Sequence, residues 1–284
     1  MTTRVVTSLH PAIRDDIGDL VTRRPVPGPG LPQVDPFLFL NHHGPQRYPP
    51  GNRGLPFGPH PHRGFETVTF ILDGSLSHLD TGGGESIVRE GGVQWMTAGS
   101  GLVHAELSPE DFKRDGGDME ILQLWLNLPA RLKMSEPNYL PVPAGRMATL
   151  ELVEGVTMRA VSGTEAAPVD PLTGAMLATV EFAPGTSATL PAPAARSVLF
   201  YTVRGVVTVS GREVPKWHLA QLSDGDGIEV ASDEGALLLF GHADPIGEPV
   251  VAHGPFVMNT REEILEAIQD YQAGKFGDPA AIGD

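Results

Sequence analysis

Glycine and proline interrupt this chain throughout, 34 and 27 times in 284 residues. Short strands joined by turns are the elements that tolerate such punctuation. Between the interruptions lie runs rich in Thr, Val, Ile and Phe. In "FETVTFILDGSLSHLDTGGGESIVREGGVQWMTAG" they are separated by Asp-Gly and Gly-Gly turns, the pattern of antiparallel hairpins. "DMEILQLWLNLP" (Asp118 to Pro129) reads as a buried strand, and "AMLATVEFAPGTSATLPA" and "SVLFYTVRGVVTVSG" continue the style in the second half. "FYTVRGVVTVSG" is laid out like "FETVTFILDGSL", which points to two copies of one β-barrel unit. The expected organisation is all-β, with one barrel over residues 1–137 and a second over 146–284. "NYLPVPAG" (Asn138 to Gly145) serves as a proline-stiffened linker. One helix is expected, near the C-terminus. There Thr260 is an N-cap, Glu263 completes a capping box, and Ile264, Ile268 and Tyr271 recur at helical spacing. Gly274 and Gly277 end it.

The formal net charge is −15. A surface of that sign repels phosphate backbones, so no direct nucleic-acid partner is expected. Cysteine is absent, which excludes disulfides, a thiolate nucleophile and cysteine-held metals. Any metal must rest on histidine and carboxylate. The N-terminus lacks an apolar targeting core, and Asp15, Asp16 and Asp19 break an amphipathic transit pattern. No run approaches membrane-spanning length. A cytoplasmic protein without membrane association is the expectation.

"GPHPHRGFETV" carries His60 and His62 at i and i+2, which on a strand places both on one face. The flanking prolines suit an edge or a strand start. "TAGSGLVHAELSP" supplies a second pair at the same spacing, His104 and Glu106, after a glycine turn. Three imidazoles and a carboxylate from two adjacent strands would hold one ion. Such mixed ligation suits Fe(II), and also Mn, Co, Ni, Cu or Zn, with positions left open for dioxygen or a chelating substrate. Glu66 is the rival carboxylate. A straight strand carries it too far from His62, and a bend at Gly64 would bring it back. Glu106 is preferred as ligand, with Glu66 in the substrate pocket. Phe57, Trp95, Met96 and Trp125 are candidates for an apolar surround, with core packing as the competing role, and Arg63 either orients an anionic ligand or forms an ion pair. His42 and His43 are expected in a solvent-facing loop, and His10 and His78 carry no constellation. His218, His242 and His253 are unpaired, so the second barrel is expected to hold no metal and to serve packing.

"PHPHRGFETV", "GGVQWMTAGSGLVHAE", "LQLWLNLP" and "GEPVVAHGPFVMNTREEILEAIQDYQAGKFG" together resemble the pirin family. That resemblance runs through nearly the whole chain. It implies a bicupin, two barrels of the cupin superfamily, with a single iron in the first. The iron would be held by the residues at the matching motif positions: His60, His62, His104 and Glu106. The wider cupin pattern uses the glutamate after His-x-His and keeps Glu66 as the alternative. The resemblance also implies a quercetinase-type flavonol dioxygenase, which opens the heterocycle with loss of carbon monoxide. Its partners would be a small planar aromatic substrate and dioxygen, and Glu106 or Glu66 would be the catalytic base. A second implied role is non-enzymatic: a module that binds a protein partner according to the oxidation state of its iron. A metal-free isomerase-like cupin is a third reading, which the second histidine pair opposes.

Overall fold

In the computed structural model, residues 2–282 are described, and they divide into two compact units. One unit gathers Arg14–Arg23, Leu38–Gly145 and the segment from Ile246 onward. The other gathers the N-terminal segment through Ile13, Arg24–Phe37 and Arg146–Pro245. The division therefore differs from the contiguous halves 1–137 and 146–284 at both ends. The reason lies in pairing and packing. The strand Val6–Pro11 adds antiparallel to His218–Leu222, so the first residues complete the sheet of the later barrel. The helix Arg261–Gln272 has the expected Thr260–Glu263 capping box. Its Ile264 and Ala267 pack with Val103, Ala105, Phe256 and Phe276, so it belongs with the earlier barrel.

The first unit contains a larger and a smaller antiparallel sheet. In the larger, Asn138–Val142, Val93–Thr97, Phe65–Asp73, Gly117–Asn127 and Phe37–Tyr48 lie side by side in that order. The smaller runs Phe57–His62, Leu102–Leu107, Ser75–Asp80, Glu85–Arg89. Seven consecutive residues of Phe65–Asp73 are buried, which is why its apolar run is continuous instead of alternating. Asn138–Val142, expected as a linker, is an edge strand in register with Val93–Thr97. Pro141 is tolerated there because an edge leaves one row of amides outside the ladder. His42 and His43, expected to face solvent, lie buried in Phe37–Tyr48.

The second unit is a ten-stranded antiparallel arrangement whose backbone order includes Val156–Ser162, Met176–Phe182, Ala236–Ala243 and Ser197–Val209. Its interior includes an apolar cluster built on Val156, Val180, Phe200, Val207, Leu238 and Phe240. His253, counted with this barrel in the sequence, lies instead in the strand Val251–His253 of the first unit. Among the described residues, no helix is long and apolar enough to cross a membrane.

Candidate metal centre

The two histidine strands pair directly. Phe57–His62 runs antiparallel to Leu102–Leu107, with His60 opposite His104 and His62 opposite Leu102. Cross-strand and diagonal neighbours on one face are within side-chain reach, and the three rings meet. Their centroids stand 4.3 Å apart for His60–His104, 4.8 Å for His60–His62 and 4.9 Å for His62–His104. One nitrogen from each ring lies within 4.8 Å of the others, a group able to hold a metal ion.

Hydrogen bonds leave this group poised for a cation. His60 Nδ1 meets the Gly58 carbonyl at 2.8 Å, and His62 Nδ1 meets the Pro255 carbonyl at 3.2 Å. A carbonyl can only accept, so each Nδ1 carries a proton, an arrangement that in a neutral ring leaves Nε2 its lone pair. Both nitrogens of His104 are buried without a hydrogen-bond partner. Buried polar atoms are nearly always satisfied, and a cation is the partner that neutral imidazoles can accept. Burial holds the His62 pKa down at about 3, with His60 adding to the effect. Burial also pushes His104 well below the ordinary range, assisted by the neighbouring His60, His62 and His78. The donor set fits a metal.

The carboxylates stand outside that three-imidazole group. Glu106 shares the face of His104, but the ladder shifts register between them, and Glu106 lies opposite Phe57. Its carboxylate accepts from Gln123 Nε2 at 2.6 Å and Thr69 Oγ1 at 3.2 Å. Glu66 sits across the turn at Gly64, where the chain leaves the smaller sheet for the larger. Its Oε1 accepts from Thr97 Oγ1 at 2.7 Å and Trp95 Nε1 at 3.0 Å, and its Oε2 is buried without a hydrogen-bond partner. Burial raises the Glu66 pKa, against the lowering effect of those two donors.

The surrounding candidates separate by role. Trp95 and Met96 are core residues, and Trp95 also holds Glu66. Phe57 packs beside Leu55 and against the His43 ring. Trp125 stands edge-on to His62 at 5.4 Å, stacks on Phe39 at 4.6 Å and lies tilted against Phe65 at 4.4 Å. Arg63 is committed to structure: its Nε donates to the Ser100 carbonyl, and its guanidinium pairs with Asp270 at 2.9 Å and covers the Phe276 ring.

His78 is a neighbour of the imidazole group that the sequence reading passed over. Its ring lies 5.4 Å from that of His104 and is stacked on Tyr139 at 3.7 Å. Its Nε2 meets Asp80 at 2.8 Å. Burial by itself would raise the Asp80 pKa, but hydrogen bonds from His78 and the amides of Gly84 and Gly82 outweigh it and hold the carboxylate low. The signal was present: His78 and Asp80 are a third i, i+2 pair in the same stretch.

Comparison with known proteins follows the same lines. The sequence matches the Pirin family model over residues 19–126 and that of the Pirin C-terminal cupin domain over 177–277. It is 40% identical over 255 residues to a pirin-like protein of Caulobacter vibrioides, covering 87% of this chain and 90% of that one. Identity to pirin of Homo sapiens is 34% over 267 residues, covering 90% and 87%. The crystal structure of quercetin 2,3-dioxygenase from Acinetobacter baumannii is similar with a TM-score of 0.91 at 31% identity, covering 98% of this chain and 99% of that chain. The all-β architecture is thus that of two cupin-type domains with a C-terminal helix.

Proposed function

This chain belongs to the pirin family, and on that premise we propose that it is an iron-dependent dioxygenase acting on flavonols such as quercetin. The observation that carries the reading is His104, whose two buried nitrogens have no hydrogen-bond partner beside the rings of His60 and His62. Similarity to the quercetin 2,3-dioxygenase of Acinetobacter baumannii supports the substrate class.

His60, His62 and His104 would hold the ion, with Glu106 as the fourth ligand. Nitrogen and oxygen donors of this kind suit Fe(II), with Mn, Co, Ni, Cu and Zn as competitors. When bound, a ferrous ion supplies the one-electron exchange with dioxygen that the side chains lack. The chain's own residues do the rest. The Gly58 and Pro255 carbonyls fix the tautomers of His60 and His62. Gln123 and Thr69 orient the Glu106 carboxylate. Trp125, with Phe39 and Phe65 behind it, offers an aromatic wall beside His62 against which a planar substrate can stack. Glu66 has one oxygen held by Trp95 and Thr97 and the other unpartnered, with its pKa raised by burial. It would take the proton of the flavonol hydroxyl, because a carboxylate of raised pKa is the stronger base. Overall, one flavonol and one dioxygen become one ring-opened ester and one carbon monoxide.

The test is anaerobic loading with Fe(II), followed by quercetin and oxygen. Uptake of one dioxygen and release of one carbon monoxide per flavonol are expected. Oxygen uptake no faster than that of free Fe(II) at the same concentration overturns the reading. Glu66→Gln is expected to keep its iron while turnover falls about 100-fold, the scale of a lost general base.

A further inference from the structure

Lys133 is buried in the first unit, 1% exposed, although lysine is rarely buried without an anionic partner. Its ammonium donates three hydrogen bonds, all to neutral oxygens: the Asn127 side-chain carbonyl at 2.7 Å, the Gly64 carbonyl at 2.8 Å and the Val257 carbonyl at 3.0 Å. A buried cation is costly, and an apolar residue of similar volume is often neutral or better for stability. Burial accordingly pushes its pKa down to about 8. Stability alone gives little reason for an ammonium here.

Its two backbone acceptors are informative. Gly64 lies two residues after His62, and Val257 lies two residues after Pro255, whose carbonyl receives the His62 Nδ1–H. Between them, the Val257 amide donates to the Arg63 carbonyl at 3.1 Å. Gly64 has a φ of +90°, and a side chain there would run into the Val257 carbonyl. The two backbones are thus packed too closely for anything but glycine. Two carbonyls so placed repel each other unless a donor lies between them, and the Lys133 ammonium is that donor.

We propose that Lys133 is a positioning residue for the metal site: by joining the Gly64 and Val257 carbonyls it holds the Pro255 carbonyl against His62, and so sets the tautomer and aim of that ligand. This rests on the reading of His60, His62 and His104 as metal ligands. Through it, a segment 193 residues from His62 in sequence becomes part of the centre.

The experiment is titration of the metal-free full chain with Co(II), reading the visible absorption of the bound ion and its dissociation constant. Lys133→Met keeps length and burial and removes the donors. It is expected to weaken Co(II) binding about 10–100-fold, the scale on which partners of ligand histidines act, and to shift the Co(II) bands. Asn127→Ala leaves both backbone carbonyls held and is expected to change the constant less than about 3-fold, because the ammonium keeps its two main-chain bonds. The chain has no cysteine, so Lys133→Cys, aminoethylated while unfolded and then refolded, restores an ammonium at one position and should restore affinity and bands together. Wild-type Co(II) affinity and bands in Lys133→Met overturn the proposal. So does an equal loss in Asn127→Ala, or no recovery in a refolded aminoethylated protein whose circular dichroism is native. Absence of Co(II) binding by the wild-type chain would instead strike the metal-site reading itself.

Discussion

The two barrels share one architecture and fill it in opposite ways. The second closes on Val156, Val180, Phe200, Val207, Leu238 and Phe240, a large apolar cluster with few buried polar groups beside it. The first buries His62, Glu66, Thr69, His78, Asp80, His104 and Glu106 at 5% exposure or less. Buried polar groups cost stability unless each is satisfied, and in the first barrel most are: Glu66 by Trp95 and Thr97, Glu106 by Gln123 and Thr69, His78 by Asp80. The Glu66 Oε2 and both nitrogens of His104 are left without a hydrogen-bond partner. The contrast shows that a β-barrel can bury a cluster of polar side chains or an apolar core, and that a repeated fold lets one chain have both.

The largest effect expected from breaking that contrast is His104→Ala, which should remove the bound metal altogether. Metal content of the native protein, measured by elemental analysis, would fall from about one per chain to background, because two imidazoles and the Glu106 carboxylate no longer surround an ion. Glu66→Ala should mostly retain it. A variant that lost His104 and still carried stoichiometric metal would mean that the ion sits elsewhere.

The mirror-image change is Phe240→Ala in the second barrel. Truncating a fully buried phenylalanine costs about 3–5 kcal/mol, visible as an earlier denaturant midpoint, while metal per chain stays constant. Loss of metal in step with stability would show that the second interior does more than pack.

Acid should separate the two interiors as well. In the metal-free chain, His62 has its pKa lowered to about 3 by burial and His104 lies well below the usual value. In the second barrel His242 is similarly affected, lowered to about 4 chiefly by burial, with Arg196 and Arg4 contributing. Unfolded histidine binds its proton near pH 6.5, so between that pH and the folded values the unfolded chain holds more protons. Stability from these groups is therefore present above pH 6.5 and is lost as pH falls. The slope is up to about 1.4 kcal/mol per pH unit for each group. His242→Gln should flatten the slope by one histidine's share, measured by denaturant unfolding from pH 7 to 4. An unchanged slope would remove His242 from the account.

The smallest effect expected is at the helix that caps the first unit. Thr260 accepts from the Glu263 amide while the Glu263 carboxylate accepts from the Thr260 amide. Thr260→Ala should cost about 1 kcal/mol without altering metal content. A larger loss, or a loss of metal, would mean that the helix end bears on the site more directly than its cap does.

How much of this was readable beforehand follows the range of each interaction. The pairs His60/His62 and His104/Glu106 were legible because strand periodicity is local, and any two residues at i and i+2 share a face. The capping box was legible for the same reason, its two partners being three residues apart. Glu106 was placed on the right strand, but its hold on Gln123 and Thr69, and its distance from the imidazole group, depended on a shift in register that local pattern does not reveal. The strand at Asn138–Val142 was misread because its prolines suit a linker and an edge strand equally.

The sequence alone determined the β-rich character, the two-barrel plan, the terminal helix and the histidine pairs that the first barrel brings together. Each follows from composition or from spacings of a few residues. Only the tertiary structure decided which segments complete which barrel, that Arg63 is committed to Asp270, and that Pro255 and Lys133 stand behind His62. Those depend on contacts across many tens to nearly two hundred residues. Which distant carbonyl meets which donor is settled by packing the whole unit, not by any local preference of the chain.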